Sequence, residues 1–261
     1  TYKNKVLSLG GGTNIPGKTH LGNQVNTMIE PGKPIGYFYG YKMDGVFQTQ
    51  EEINNYRGGP DNTIIMPTAE PGDLKFVDLN GDGKLGEEDR TMIGNPHPDF
   101  TFGLTLSGEY KGFDLSMFFQ GSVGNDILNI LKYDIYSGTG WYNAPKDIFD
   151  KFWTGPGSTN ENFAISANSR DNLTMSEWYI ENGSYVRLKN VTLGYTFPKQ
   201  WVQKLTVQNL RLFVAAQNLF TITSYSGLDP ELGNSNPAFM GIDMGWYPQA
   251  RSFMVGLSLK L

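Results

Sequence analysis

Hydrophobic and polar residues alternate with a period of two along several long segments of the chain. The clearest is residues 100–110, FTFGLTLSGEY, in which apolar side chains fall on one face and small polar ones on the other. Successive residues of a β-strand point to opposite sides of a sheet, so this pattern predicts a strand. The apolar face carries Phe100, Phe102, Leu104, Leu106 and Tyr110, and the other face Thr101, Gly103, Thr105, Ser107 and Glu109.

Residues 113–120 continue the alternation after a candidate two-residue hairpin turn at Lys111 and Gly112. Such a turn fixes which residues of the two strands lie opposite each other. All the predicted pairs then fall on the apolar face, as cross-strand packing requires. The pairs are Tyr110 with Phe113, Gly108 with Leu115, Leu106 with Met117, and Leu104 with Phe119.

The same alternation predicts further strands at residues 190–197, 210–218 and 251–261, with another candidate at 36–47. A soluble sandwich and a membrane barrel both show such alternation. Two features favour the barrel. The first strand is about eleven residues long, close to the ~9–11 that cross a membrane and longer than an ordinary strand. Aromatic residues also stand at the strand ends, as in an interfacial girdle: Tyr110, Phe113, Tyr195 and Phe197.

Helical periodicity is scarce. A short helix is predicted at 145–153, opened by Pro145, and a single turn at 50–56. Long polar segments at 122–184 and 222–250 separate the strands, and loops of this length usually carry function.

Composition narrows the class of protein. Glycine accounts for 32 of 261 residues, aromatics for 13% and charged residues for 18%, which suits β-structure with long loops. The chain has no cysteine, which excludes disulfides and cysteine–zinc sites. Its net charge of -5 lacks the excess of positive charge that is typical of nucleic-acid-binding proteins, so no nucleic-acid partner is expected.

Residues 78–89, DLNGDGKLGEED, have the spacing of a calcium loop of the EF-hand or dockerin kind. Ca²⁺ takes six to eight oxygen ligands, which alternating side chains on a tight loop can supply. The predicted ligands are Asp78, Asn80, Asp82, the Lys84 carbonyl and Asp89. A structural Ca²⁺ is the functional interpretation. The alternative is an Asx-rich turn held by hydrogen bonds from its own side chains to its backbone.

Five blocks, in this order, resemble the SusC/RagA family of TonB-dependent outer-membrane transporters. They are IGYFYGYKMDGVFQ, GDLKFVDLNGDGKLGEEDRTMIGNPHPDFTFG, NGSYVRLKNVTLGYTF, LRLFVAAQNLFTITSYSGLDPE and YPQARSFMVGLSLKL. The resemblance implies an all-β fold in which residues 1–261 form C-terminal antiparallel strands and long extracellular loops of a 22-stranded barrel. It implies that the plug domain and the N-terminal strands are absent from this chain. At ~10 residues per crossing plus loops, roughly six to ten strands are expected.

The resemblance also implies a function. Such proteins import glycans, or in some members peptides, across the outer membrane of Gram-negative, Bacteroidetes-like bacteria. They work with a SusD-like lipoprotein lid and are energised by TonB, which would act through the missing N-terminal part. Outer-membrane lipid would surround the strands.

Candidate contacts with substrate or lid are the aromatic residues of the long polar segment: Trp141, Tyr142, Trp153 and Trp178. Their alternative role is packing within the loops. His20 and His97 have no nucleophile and orienting carboxylate evident around them, so an enzyme is not expected. The rival hypothesis is a soluble, calcium-stabilised carbohydrate-binding β-module, which would bury Leu104, Leu106 and their neighbours.

Overall fold

The structure is a computed structural model that describes residues 5–18, 24–136, 143–165, 171–202, 207–233 and 236–260. The described strands are β1 (Ile15–Lys18), β2 (Val25–Ile29), β3 (Tyr37–Tyr41), β4 (Met43–Val46), β5 (Arg57–Gly58), β6 (Thr63–Ile64), β7 (Leu74–Phe76), β8 (Arg90–Gly94), β9 (Phe100–Tyr110), β10 (Phe113–Val123), β11 (Asp126–Asn129), β12 (Ile180–Asn182), β13 (Tyr185–Thr196), β14 (Asn209–Thr223), β15 (Ile242–Asp243) and β16 (Ser252–Lys260). The α-helices are α1 (Gln50–Asn55), α2 (Leu131–Tyr136), α3 (Ile148–Lys151) and α4 (Lys199–Val202).

Five long strands form one antiparallel sheet, here called the wall. Its spatial order is β16-β14-β13-β10-β9, so each wall strand pairs with the next wall strand along the chain. Two short connections, residues 111–112 and 197–208, lie at one end, and two long ones, 124–184 and 224–251, lie at the other. This up-and-down order, with short turns at one end and long loops at the other, is that of a membrane barrel.

The predicted hairpin is confirmed. Tyr110 lies opposite Phe113, Leu106 opposite Met117, and the register continues unbroken over both strands. Lys111 and Gly112 both have positive φ, 49° and 88°, as the tight hairpin turn that matches strand twist requires.

The apolar face of the wall is exposed. One row across it runs from Leu106 through Met117 and Val191 to Ala216 and Phe253. Individual side chains on this face are strongly exposed, with Leu104 at 48%, Leu257 at 61% and Val255 at 74%. This exposure disagrees with the soluble-module hypothesis, which requires these residues to be buried.

Most of the hydrophobic core lies outside the wall, in a compact region here called the cap. The cap core draws on residues 38–76, 128–179 and Ile242, and its largest fully buried side chains include Tyr179, Phe47 and Phe163. Its sheets are β1-β2-β3-β8, β12-β11-β15, β4-β7 and β5-β6.

The cap corrects the expectation of long polar loops. Segments 122–184 and 222–250 contribute buried apolar residues to a common core instead of lying loosely over the barrel. Because so much of the chain builds the cap, the described residues hold five long wall strands and not the six to ten expected from length.

Two other predictions were inexact. The strand predicted at 36–47 is divided into β3 and β4, because the amide of Tyr41 pairs with Met175 and that of Met43 with the Glu177 carboxylate. The helix predicted at 145–153 is limited to α3, because the Trp153 amide bonds to the carbonyls of residues 162 and 163. The turn predicted at 50–56 is confirmed as α1.

Wall strands β10, β13 and β14 contain register shifts that alternation did not predict, at Phe118/Phe119 and between Leu188 and Asn190. None of the described helices is both long enough and apolar enough to cross a bilayer.

Candidate functional site

The face of the wall opposite the apolar one is polar and carries ion pairs. Near its short-turn end, the Arg211 guanidinium on β14 binds Asp114 on β10. The pair passes over Gly194 on β13, where an added Cβ would lie 2.4 Å from each partner. Glycine therefore provides the space that lets the two charges meet across the intervening strand.

At the other end of the wall, a buried cation anchors the long segment 224–251. Arg187 on β13 is 2% exposed and binds Asp229 at 2.5 Å and Glu231 at 2.7 Å. Lys189 binds the same Glu231 at 2.8 Å, and the Arg187 Nε donates to Thr221. We call these residues, Arg187, Lys189, Thr221, Asp229 and Glu231, the anchor.

Asp229 has the surroundings of a charged carboxylate. Besides Arg187, it accepts hydrogen bonds from the backbone amides of Glu231 and Gln249. Burial alone raises the pKa of Asp229, but the hydrogen bonds from Arg187 and the two amides outweigh it and lower that pKa below its ordinary value. The anchor thus holds both ends of residues 229–249 against the wall.

Residues from segments 129–136, 147–162, 178–181 and 226–228 contribute to the lining of a cleft of about 510 Å³, which we call the Lys132 cleft. Its apolar lining includes Leu131, Ile135, Tyr136, Phe152 and Leu228. Its polar lining includes Asn129, Lys132, Asp147, Lys151, Glu161, Asn162, Glu181 and Ser226. A second cavity of about 510 Å³ shares Lys132, Glu161, Asn162 and Trp178 with it, so the two are contiguous.

Lys132 and Glu181 line the cleft and form an ion pair. The Lys132 ammonium lies 3.0 Å from the Glu181 carboxylate and donates to the Trp178 carbonyl at 2.8 Å. Glu181 also accepts from the Asn129 amide group and from the backbone amide and hydroxyl of Ser226. Burial raises the pKa of Glu181, but the Lys132 charge and the Ser226 hydrogen bonds more than offset this, so the pKa is lowered.

The predicted aromatic contacts lie in different surroundings. Trp178 is 6% exposed and packs edge-on against Phe163, Tyr179 and other rings, while its indole N–H donates to Asn162. Trp153 is half-buried and donates to Gln48. Trp178 therefore presents little open surface for stacking on a ligand, although it lines the cleft. Trp141 and Tyr142 lie outside the described residues.

The predicted calcium loop connects β7 to β8. Its Asp78 carboxylate accepts the amides of Gly81 and Gly83, and Asp82 accepts that of Lys84. Asp89 is fully buried and accepts the amides of Leu79, Asn80 and Gly86. Among the residues that the structure describes, no group of three or more His, Asp or Glu side chains converges as metal ligands do.

These bonds are those of the self-contained Asx turn. Each oxygen of Asp78 accepts one of these bonds and retains a further lone pair, so these donors remain suitable for Ca²⁺. One oxygen of the buried Asp89 already accepts two amides. Calcium at Asp78, Asn80, Asp82, Lys84 and Asp89 stays a prediction.

Sequence reasoning missed the residues that organise the site. The alternation of apolar and polar residues did not single out Lys132, Glu181 or Arg187. A cation on the polar face of a strand, as at Arg187, was the available signal. Of the two histidines, His97 lies in a turn and its Nε2 is 2.8 Å from the Ile35 carbonyl, while His20 is outside the described residues.

No protein-family model matches the chain. TonB-dependent receptor P3 of Formosa agariphila is 37% identical over 272 residues, covering 99% of the chain and 26% of that receptor. TonB-dependent receptor SusC of Bacteroides thetaiotaomicron is 28% identical over 270 residues, covering 98% of the chain and 23% of that receptor. The chain belongs to the SusC/RagA family of TonB-dependent receptors. It spans about a quarter of the length of these relatives.

Solved structures agree on the fold of this receptor chain. The RagAB peptide importer in its 'open-open' state matches 98% of the chain and 25% of its own chain, with a TM-score of 0.68 and 21% sequence identity. The wall is thus all-β barrel structure, as predicted. The named relatives are receptors and not enzymes, in agreement with the expectation from sequence.

Proposed function

We propose that this receptor imports nutrients across the outer membrane, energised through TonB, and that residues 5–260 supply part of its barrel wall and outer surface. The observation that carries the proposal is the wall itself. Its five strands expose an apolar face on one side and present charged and small polar residues on the other. Such a sheet suits lipid on one side and water on the other.

The strand lengths support the same conclusion. The eleven residues of β9 extend roughly 37 Å at ~3.4 Å per residue. Tilted by ~35–45°, they rise roughly 26–30 Å, close to the ~25 Å apolar band of outer-membrane barrels. Within the described part of the chain, the outermost wall strands β9 and β16 each pair on one side, and closure of a barrel satisfies such edges.

Partners and cargo follow from the relatives. We infer a SusD-like lipoprotein that closes over the cap, and a location in the outer membrane of a Bacteroidetes-like bacterium. Glycans are the first candidate cargo, because SusC-type receptors resemble the chain over nearly its whole length. Peptides are the second candidate, favoured by the fold of the RagAB peptide importer and by the charges of the Lys132 cleft.

The loop at 78–89 supports a structural role for Ca²⁺ within this function. It lies at the connection into β8 and is braced by Thr63, whose hydroxyl donates to the Gly83 carbonyl. Ion binding there would stiffen the segment that leads towards the first wall strand. No regulatory role is proposed for it.

Import is tested in cells that lack the receptor and carry it on a plasmid. Uptake of fluorescent oligosaccharide and peptide mixtures is measured with TonB present and after TonB depletion. We expect uptake that requires both the receptor and TonB. Undiminished uptake after TonB depletion would refute the proposed function.

A further inference from the structure

One side chain that lines the Lys132 cleft has a buried acceptor without a partner among the described residues. Asn129, at the end of β11, is 4% exposed and lines the cleft. Its amide nitrogen donates to Glu181 at 3.0 Å, which fixes the orientation of the side-chain amide. Its Oδ1 accepts no hydrogen bond from any residue that the structure describes. A buried acceptor left without a donor costs ~1–3 kcal/mol, so a donor group that reaches it from the cleft would be stabilising.

The charged residues that line the cleft indicate which kind of donor group binds there most favourably. Three carboxylates, Asp147, Glu161 and Glu181, face two ammonium groups, Lys132 and Lys151. The ammonium groups are already matched, since Lys132 binds Glu181 at 3.0 Å and Lys151 binds Asp147 at 2.5 Å. Glu161 has no ion pair among the described residues.

The contiguous cavity contributes further carboxylate side chains. It is lined by Asp44 and Glu177 as well as by the shared Glu161 and Lys132. Asp44 is paired with Lys75, whereas the Glu177 carboxylate accepts a hydrogen bond from the Met43 amide. The field along the two cavities therefore favours a cation over an anion.

The apolar residues of the lining restrict the class of ligand further. Leu131, Ile135, Tyr136 and Phe152 border the same space, and Leu228 is 66% exposed at its edge. A long side chain with an apolar stem and a cationic tip matches this combination, because the stem covers apolar surface while the tip donates hydrogen bonds. The volume of about 510 Å³ suits such a group with part of its backbone.

We propose that the Lys132 cleft binds a lysine- or arginine-bearing segment of a peptide, with Glu161 matching its charge and Asn129 Oδ1 accepting from its donor groups. This deepens the proposed function and rests on it, because it specifies which peptides the importer would select within the second candidate class of cargo. Acidic peptides and anionic sugars are disfavoured at this site, since the unmatched carboxylate repels them.

The test measures binding to the receptor purified in detergent. The probes are a fluorescent heptapeptide with two lysines, the same peptide with both lysines acetylated, and a neutral heptasaccharide. We expect the lysine peptide to bind most tightly and its affinity to fall as salt is raised. Equal binding of the acetylated peptide, or preference for the heptasaccharide, would overturn the inference.

Variants locate the site. Glu161→Gln removes an exposed charge without a packing change, and we expect about two- to fivefold weaker binding of the lysine peptide. Glu161→Lys should weaken it further. Glu70→Gln, an exposed cap carboxylate outside the cleft, is the matched control and should have no effect. Equal behaviour of the Glu161 and Glu70 variants would contradict the assignment.

The two proposals fail separately. Charge-independent binding by a receptor whose uptake still requires TonB would refute the cleft and leave import intact. If uptake does not require TonB but binding still prefers the positively charged peptide, TonB-dependent import is refuted and the cleft remains a binding site.

Discussion

The anchor at Arg187 allows a quantitative prediction. Replacing Arg187 with Met keeps a long apolar stem but removes the cation that binds Asp229 and Glu231. Asp229 is 6% exposed and would then be a buried carboxylate whose remaining described partners are the amides of Glu231 and Gln249. We expect segment 224–251 to open more readily from the wall.

The magnitude follows from burial. Removing one partner of a buried ion pair typically costs ~3–5 kcal/mol, because the other charge stays desolvated. If the opening free energy of the segment falls by that amount, its open population rises from roughly a hundredfold to several thousandfold, since ~1.4 kcal/mol corresponds to a factor of ten. The double variant Arg187→Met, Asp229→Asn should recover part of this loss.

Amide hydrogen exchange in the detergent-solubilised receptor measures this directly. The amides of Glu231 and Gln249 report on the anchor because both donate to Asp229. Arg211→Met is the matched control. It breaks an ion pair of the wall whose side chains are 29% and 27% exposed, and it should leave exchange in 224–251 unchanged. Unchanged exchange in Arg187→Met, or an equal effect of Arg211→Met, would refute the reasoning.

Three further predictions follow from the wall, the anchor and the loop. Leu106→Lys should destabilise the receptor in lipid by ~2–4 kcal/mol, whereas Thr105→Lys should cost much less. Denaturant unfolding in vesicles measures both free energies of unfolding, and equal costs would count against an apolar face in lipid. Because the pKa of Asp229 is lowered on folding, its stabilisation is complete above the ordinary ~3.9 and is lost as pH falls through the folded value. Protection of the 224–251 amides, expressed relative to the pH-dependent intrinsic exchange rate, should therefore fall under acid, and unchanged protection would be inconsistent with the anchor. Added Ca²⁺ should raise the melting temperature of the receptor but not that of the Asp82→Ala variant. An equal rise in both would contradict Ca²⁺ binding by the loop.

Sequence periodicity predicted the wall well for a physical reason. A wall strand has lipid on one side and water on the other, so the polarity of each residue indicates which of the two its side chain faces. The register from Tyr110–Phe113 to Leu104–Phe119 could therefore be derived residue by residue. The shift between Leu188 and Asn190 could not, because an extra residue in one strand leaves the apolar–polar pattern ambiguous.

The cap and the cleft could not be derived in the same way. Their core joins residues far apart in the chain, such as Phe47 with Phe163, in short elements that have no sustained period. Likewise 49 positions separate Lys132 from Glu181, and 42 positions separate Arg187 from Asp229. Residue type alone gives no signal for pairs at such distances.

The central claim is that the apolar face of the wall meets lipid while the opposite face meets water. Spin labels at Leu106 and Leu257 on the one face, and at Thr105 and Ser258 on the other, test it in the receptor reconstituted into vesicles. The account predicts that labels at the leucines collide with dissolved oxygen and are shielded from a water-soluble nickel chelate, and that labels at Thr105 and Ser258 show the reverse. Equal accessibility of neighbouring positions, or the opposite pattern, would contradict it.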